Sequence, residues 1–253
     1  MVLFDFDGTL SLIRTGWVDV MVPMMVEILA GLKTGENEED LSTLVEDYVA
    51  RLTGEQTIYQ MIELARQVEL RGGKALDPLT YKQMYHQGLM QKIQWRRDEL
   101  RQGNVSPEKY LVPGARALLE ALRGRGLRLY CASGTDQAYT QEEAQLLDIA
   151  RYFDGGVYGA LDDYESFSKA TLIQRILSST QCRGDELLGF GDGYVEIKNV
   201  EEVGGMAVGV ATAEPECRIV NEWKRKRLLR VGADFIIANF LCHEQLLHIL
   251  FPE

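Results

Sequence analysis

The second half of the chain alternates between short apolar runs and amphipathic segments, and this alternation restricts the fold more than any other feature. Four runs, LRLYCAS, ELLGFGD, GMAVGVA and ADFII, are separated by stretches whose apolar residues return at helical spacing. Strands that alternate with helices form a parallel sheet covered on both faces, because every crossover must return the chain to the same end of the sheet. The sequence therefore predicts an α/β fold with a doubly wound parallel sheet.

A further strand is predicted at the N-terminus, and it ends in two acids. Residues 2–6 form a short apolar run, and Asp5 and Asp7 lie at its end. Ligands of open parallel sheets bind beyond the carboxyl ends of the strands, so the polar residues that follow each strand are candidates for a functional site. Those residues are Asp5, Asp7, Ser133, Gly134 and Asp192.

Between the first strand and the rest of the sheet lies a long segment without strand signals. From about residue 14 to 109 the apolar residues recur every three or four positions, with breaks at KTGENEED, LTGEQ, RGGKALDP and RQGNVSP. This pattern predicts four or five helices. We therefore expect a core domain made of residues 1–13 and 110–253, with an inserted all-α domain at 14–109.

Composition narrows the functional classes. The 253 residues carry a net charge of −11, which argues against general electrostatic binding to nucleic acid. The four cysteines are far apart and lack zinc spacing, and no apolar stretch is long enough to cross a bilayer. A basic n-region with a signal cleavage pattern is also missing. We expect a cytoplasmic monomer that does not bind membranes.

Four motifs in order resemble those of the haloacid dehalogenase superfamily of phosphotransferases. DFDGTL at 5–10 is similar to the first motif, Ser133 to the second, Lys169 in SFSKATLIQRIL to the third, and GDGYVE at 191–196 to the fourth. The resemblance implies a Rossmann-like core, with the helical insert as a cap domain. Its helical-cap branch includes phosphoglycolate phosphatases and β-phosphoglucomutases.

The chemistry of phosphate esters explains these residue types. The transition state concentrates negative charge, so a catalyst must neutralise it and supply a nucleophile in line with the leaving group. The resemblance implies that Asp5 is the nucleophile, which forms an aspartyl phosphate, and that Asp7 is the general acid and base. Ser133, the amide of Gly134 and the Lys169 ammonium would then hold the transferred phosphoryl oxygens.

The resemblance also implies a Mg²⁺ site. Magnesium prefers oxygen ligands and commonly joins one or two carboxylates to a substrate phosphate. The implied ligands are Asp5, the Asp7 backbone carbonyl and Asp192, with Glu196 in support. The family pattern usually has aspartate at the position of Glu196, and the additional methylene places the direct metal contact of this residue in question.

The inserted helices are expected to select the substrate. A cap excludes water and contacts the leaving group, and the turn RLTGEQ is its best local candidate, with Thr53 and Gly54 as binding residues. The alternative that these are ordinary solvated helix residues stays open. The basic run KRKRLLR at 224–230 is interpreted as the solvated face of a helix.

The predicted activity is Mg²⁺-dependent hydrolysis of a small phosphorylated metabolite. Two alternatives remain at this point. A phosphomutase of the β-phosphoglucomutase type would return the phosphoryl group to the sugar instead of passing it to water. A non-catalytic phosphometabolite sensor would keep the pocket and bind without turnover, and the glutamate at 196 leaves room for it.

Overall fold

Six parallel strands form one sheet. The structure is a computed structural model that describes residues 1–161 and 168–251. Neighbouring strands pair in the order β3-β2-β1-β4-β5-β6, and every pair is parallel. The chain therefore builds outward from β1 in both directions, which confirms the predicted doubly wound sheet. The strands are β1 (Val2–Phe4), β2 (Leu129–Asp136), β3 (Val157–Ala160), β4 (Leu188–Gly191), β5 (Met206–Val210) and β6 (Phe235–Ile237).

The central strand is short but fully buried, and its alternating side chains contribute to both faces of the sheet. On one face Phe4 stacks on Phe190 with ring centroids 4.7 Å apart. On the other face Leu3 joins an apolar cluster with Tyr130 of β2 and with side chains from the helices that follow β3, β4 and β5. Because both faces are covered with apolar side chains, this strand fixes the sheet centre. The helical members of the cluster include Leu172, Ile173, Ile176, Ile197, Val200 and Leu228.

Helices follow the strands of the core. In the described part they are α5 (Ala115–Gly124), α6 (Gln137–Leu146), α7 (Lys169–Thr180), α8 (Tyr194–Glu202), α9 (Glu222–Arg230) and α10 (His243–Leu250). Ser168 caps α7 by accepting a hydrogen bond from the Thr171 amide, as its position before the helix leads one to expect. The beginning of the third motif, Ser166 and Phe167, lies outside the described residues. Over the same described ranges, no helix has the length and apolar character needed to cross a bilayer.

The chain divides into two compact units, residues 1–15 with 96–253, and residues 16–95. The second unit contains α1 (Val18–Ala30), α2 (Glu38–Arg51), α3 (Thr57–Leu70) and the first part of α4 (Pro78–Arg101). Its interior is apolar: Met25, Leu29 and Val45 are fully buried, and the Tyr48 hydroxyl lies 3.1 Å from the Met25 sulfur. A helical hydrophobic period thus produces a helical unit with its own core.

Candidate active site

The two central strands deliver the acids to the same edge of the sheet. Asp5 follows β1, and its amide donates to the Phe190 carbonyl of β4 at 2.8 Å, so the carboxyl ends of these two strands lie side by side. Asp192 follows β4 directly. Gly8 is required between them, because its φ is +73° and a Cβ there would lie 2.4 Å from Asp192 Oδ2. The backbone of the turn after β1 therefore packs against the Asp192 side chain.

Lys169 joins the first acid to the acid of the fourth motif. It is the first residue of α7, and its Nζ donates to Asp5 Oδ1 at 2.6 Å and to Glu196 Oε1. All three side chains are buried. Burial raises the pKa of Asp5, while the Lys169 ammonium lowers it and the nearby Asp7 raises it further. Burial prevails, so the pKa of Asp5 is raised overall, and the lysine offsets part of the cost of ionising this carboxyl.

Asp7 has a different environment from Asp5. Its Oδ2 accepts hydrogen bonds from the Ser133 hydroxyl at 3.1 Å and the Thr135 hydroxyl at 2.9 Å. Its Oδ1 is buried, lies 3.8 Å from Arg14 Nε, and has no hydrogen-bond partner among residues 1–161 and 168–251. Burial raises the pKa of Asp7 to about 6, against the lowering effect of Arg14. A carboxyl with this pKa can both give and take a proton near neutral pH.

Ser133 occupies the position expected for the second motif. Its hydroxyl oxygen also accepts the Thr135 amide at 3.0 Å, so the polar end of β2 folds around this side chain. The pairing of β2 with β3 shifts register between Ala132 and Asp136, and Gly134 lies within that irregularity. Backbone amides released from regular pairing are suited to an anionic ligand.

Lys224 corrects one sequence interpretation. The basic run at 224–230 was expected to be solvated, but Lys224 is largely buried, and its Nζ lies 2.7 Å from Asp192 Oδ2 and 3.0 Å from Glu214 Oε1. The second oxygen of Glu214 accepts the Thr15 hydroxyl at 2.7 Å. The expectation was wrong for this residue because α9 begins beside the carboxyl end of β5, where the Asp192 charge is available. Both acids raise the pKa of Lys224, which remains an ammonium ion.

The structure thus brings Asp5, Lys169 and Glu196 into one group of direct contacts and Asp7 and Ser133 into a second, with Asp192 next to Gly8. Thr53 and Gly54 belong to the other unit, in the turn between α2 and α3. There the Thr53 hydroxyl donates to the Val49 carbonyl at 2.9 Å, and Gly54 has a φ of +99°. These contacts define a helix-end turn.

With this geometry described, comparison with known proteins identifies the family. A model of the haloacid dehalogenase-like hydrolases matches residues 1–204. The chain belongs to this hydrolase family. Family membership confirms the resemblance drawn from the four motifs, and it confirms the prediction that the protein is an enzyme of this hydrolase class.

Individual relatives of this haloacid dehalogenase-like hydrolase are distant. A 5′-nucleotidase from Pseudomonas aeruginosa is 30% identical over 103 residues, which are 41% of this chain and 46% of that protein. The match spans about half the length of that curated relative. Two solved structures share the fold. A predicted phosphoglycolate phosphatase from Haemophilus somnus has 13% identity and a TM-score of 0.61, covering 97% of this chain and 96% of its own. A putative β-phosphoglucomutase from Thermotoga maritima has 19% identity and a TM-score of 0.55, covering 97% of each chain.

The family generally uses a divalent cation, and the acidic side chains of this site have features that bear on whether they could hold one. Lys169 is shared by Asp5 and Glu196, Lys224 by Asp192 and Glu214, and Arg14 by Asp7 and Glu143, so the acids outnumber these three cations. Glu196 Oε2 and Asp7 Oδ1 are both buried, and neither has a hydrogen-bond partner in the part of the chain that the structure describes. Burial raises the pKa of Asp192, the Lys224 ammonium lowers it, and the nearby Asp5 raises it further. The donor chemistry fits a hard divalent ion. Among the described residues, however, no three histidine, cysteine or acidic side chains are already arranged around one point.

Sequence reasoning missed four polar residues of this hydrolase site, namely Arg14, Thr135, Glu143 and Lys224. Arg14 and Thr135 each lie within a few residues of a motif, so a search for polar side chains flanking the motifs would have found them. Glu143 carries no such signal, because its contacts come from a residue 129 positions away.

Proposed function

We propose that the protein is a Mg²⁺-dependent phosphatase that hydrolyses a small phosphorylated metabolite through an aspartyl phosphate. The observation that carries this proposal is the difference between the two acids of the first motif. Asp5 is bound to a buried lysine, whereas Asp7 accepts two hydroxyl hydrogen bonds and has a pKa of about 6. The Lys169 ammonium gives the Asp5 anion a counter-charge, although burial raises the pKa of Asp5, whereas Asp7 is suited to carry a proton near neutral pH.

In the first step, Asp5 attacks the phosphorus atom. Lys169 engages Oδ1, and Oδ2, which faces the Thr9 hydroxyl at 3.4 Å, forms the new bond. The bond from phosphorus to the ester oxygen breaks, and the Asp7 proton moves to that oxygen, so the leaving group departs as an alcohol. The Lys169 ammonium offsets the charge on the attacking carboxylate and on the phosphoryl oxygens.

In the second step, water replaces the nucleophile. Asp7, now a carboxylate, takes a proton from water as the water oxygen attacks phosphorus. The bond from phosphorus to Asp5 breaks, which releases inorganic phosphate and restores both acids to their starting states. Ser133 and Thr135 hold Asp7 Oδ2 during both transfers, and the Gly134 amide is proposed to bind a phosphoryl oxygen.

Asp5, the Asp7 backbone carbonyl and Asp192 would hold Mg²⁺, with Glu196 in support. When bound, the ion would neutralise part of the charge on the phosphate and the surrounding acids. The excess of buried carboxylates over lysines supports this assignment. Because Glu196 shares Lys169 with Asp5, it also helps to orient the lysine.

We propose that residues 16–95 act as the cap and that Thr53 and Gly54 contact the substrate. The relative from Pseudomonas aeruginosa is called a 5′-nucleotidase, and one structural neighbour is called a predicted phosphoglycolate phosphatase. Nucleoside monophosphates, phosphoglycolate and sugar phosphates are therefore the substrates to test. A cytoplasmic monomer remains the working assumption for such assays.

The test is phosphate release from a panel containing phosphoglycolate, glucose 6-phosphate, β-glucose 1-phosphate and nucleoside 5′-monophosphates. We expect release with Mg²⁺ and none with excess EDTA or with the Asp5→Asn variant. Conversion of β-glucose 1-phosphate to glucose 6-phosphate without net phosphate release would replace the proposal with a mutase. Binding without turnover of any ester would replace it with a sensor.

A further inference from the structure

A buried ion pair lies behind the proposed acid. Arg14 Nε and Nη2 donate to the two oxygens of Glu143 at 3.0 and 2.8 Å. The Glu143 side chain is fully buried and that of Arg14 is 7% exposed. A buried pair of this kind costs desolvation energy that its attraction does not always recover, so stability alone does not account for it.

The surroundings of the pair hold the arginine in one place. Arg97 Nε lies 3.7 Å from Glu143 Oε1, so a second guanidinium shares the same carboxylate. Both guanidiniums lie over the Tyr139 ring, at 5.7 Å for Arg14 and 5.6 Å for Arg97. Arg14 is therefore fixed by a bidentate contact and by an aromatic face, which leaves it little freedom to reorient.

The fixed arginine faces the Asp7 oxygen to which no hydrogen bond is donated within the described residues. Ser133 and Thr135 both donate to Oδ2, whereas Oδ1 is buried and has Arg14 Nε at 3.8 Å. The two oxygens thus have different surroundings. The two hydroxyls bind a single oxygen and leave rotation of the carboxyl group about χ2 possible. The Arg14 guanidinium on the Oδ1 side resists this rotation.

From this geometry we infer that Arg14, held by Glu143, is a positioning residue that fixes the orientation of the Asp7 carboxyl for proton transfer to the leaving group. The inference rests on the proposed function and adds to it a pair of residues that act through Asp7. Glu143 acts only through Arg14.

Dependence on the leaving group separates this role from a general structural one. An alkyl oxygen needs a proton as it departs, whereas p-nitrophenolate is a stable anion that leaves without one. Loss of Asp7 orientation should therefore slow the alkyl ester and spare the aryl ester. Loss of overall active-site structure should slow both esters alike.

The experiment compares kcat/KM for p-nitrophenyl phosphate and for the best alkyl phosphate of the panel above. For Arg14→Gln we expect a loss of about 10- to 100-fold on the alkyl ester and less than about threefold on the aryl ester. Glu143→Gln should show the same selectivity, and Arg14→Lys should restore part of the alkyl activity, since it keeps the charge without the fork. Adding Arg14→Gln to Asp7→Asn should cause no further loss on the alkyl ester.

Controls keep the outcomes distinct. Arg116 belongs to the same unit, is partly buried and contacts Glu108 and the Leu147 carbonyl. Arg116→Gln breaks these contacts and should leave kcat/KM unchanged for both the alkyl and the aryl ester. If Arg14→Gln does not fold, the Arg14→Gln/Glu143→Gln double variant removes both charges and replaces it. Equal losses on both esters, with wild-type activity intact, would overturn the positioning role alone. Absence of metal-dependent release by the wild type would overturn the proposed function first, and this inference with it.

Discussion

Lys169 Nζ lies 2.6 Å from Asp5 Oδ1, although 164 residues separate them in the chain. The lysine begins the helix after β3 and the aspartate follows β1, so the contact exists only when the sheet has formed. It also reaches Glu196, which makes one ammonium the shared partner of two buried carboxylates. This arrangement leads to the first prediction.

Replacing Lys169 with methionine should reduce phosphate release by at least about 100- to 1,000-fold, because the charge opposite the attacking carboxylate is lost. It should also lower the free energy of unfolding of the metal-free protein by about 3–5 kcal/mol, because two buried acids lose their partner. Kinetics and urea unfolding measure the two effects. Lys198→Gln is the matched control, since the ion pair that Lys198 forms with Glu202 on α8 is exposed. Wild-type stability in Lys169→Met would contradict the buried pairing.

The buried Asp7 carboxyl, which the proposed reaction needs, is expected to lower the stability of the folded protein when it is ionised. Its pKa is raised from 3.8 to about 6 in the folded chain, mainly by burial. The folded state therefore holds this proton more tightly than the unfolded state, and the stabilisation present below pH 4 is lost as the pH rises through about 6. At pH 7 to 8 the ionised acid costs at most about 3 kcal/mol.

Asp7→Asn should consequently abolish most phosphatase activity while raising the melting temperature of the metal-free protein at pH 8 by several degrees. The difference should shrink toward zero at pH 4, where the wild-type acid is protonated. Thermal unfolding in EDTA across this pH range measures it. A stability difference that does not change with pH would show that Asp7 is not responsible.

The site has more buried carboxylates than lysine ammoniums, so we expect a divalent ion to stabilise the folded state. Mg²⁺ at about 100 times its dissociation constant should stabilise the folded state by about 2.7 kcal/mol, because it binds the native site and not the unfolded chain. Asp192→Asn should remove most of this stabilisation. Glu202→Gln on the same helix as Glu196 is exposed and should retain it. Equal Mg²⁺ stabilisation of wild type and Asp192→Asn would exclude Asp192 as a ligand.

Strands with strong local signals were predictable from the sequence, and those defined by pairing were not. β1, β2, β4, β5 and β6 each contain an apolar run, and all five were predicted. β3, with the sequence Val-Tyr-Gly-Ala, lies at the sheet edge beside two preceding glycines and was missed. The polar end of β2 through Asp136 is likewise strand only because it pairs with Ala160. β3 depends on a neighbour that its local sequence does not reveal, whereas β6, at the opposite edge, has an apolar run of its own.

The same distinction applies to the site. Asp5, Asp7, Ser133 and Lys169 could be predicted because each lies in a motif whose residue types follow from phosphate chemistry. Glu143 could not, because its function depends on Arg14, 129 residues away. Lys224 was assigned to solvent from the composition of its neighbours, although its own partners are buried acids. A charge run predicts the average environment of its members and not that of each residue.

Lys224 supports the final prediction. It is shared by Asp192 and Glu214, so Lys224→Met should leave two partly buried acids without their cation. The metal-free variant should lose about 3–5 kcal/mol of unfolding free energy. Its Asp192 should bind Mg²⁺ more tightly, because the ammonium no longer competes for Oδ2. Calorimetric titration with Mg²⁺ and urea unfolding in EDTA measure the two effects.

Arg225→Gln is the control, since this neighbouring residue forms an exposed pair with Glu222 and should leave both quantities unchanged. Weaker Mg²⁺ binding in Lys224→Met would mean instead that the lysine holds Asp192 in the orientation that the metal requires.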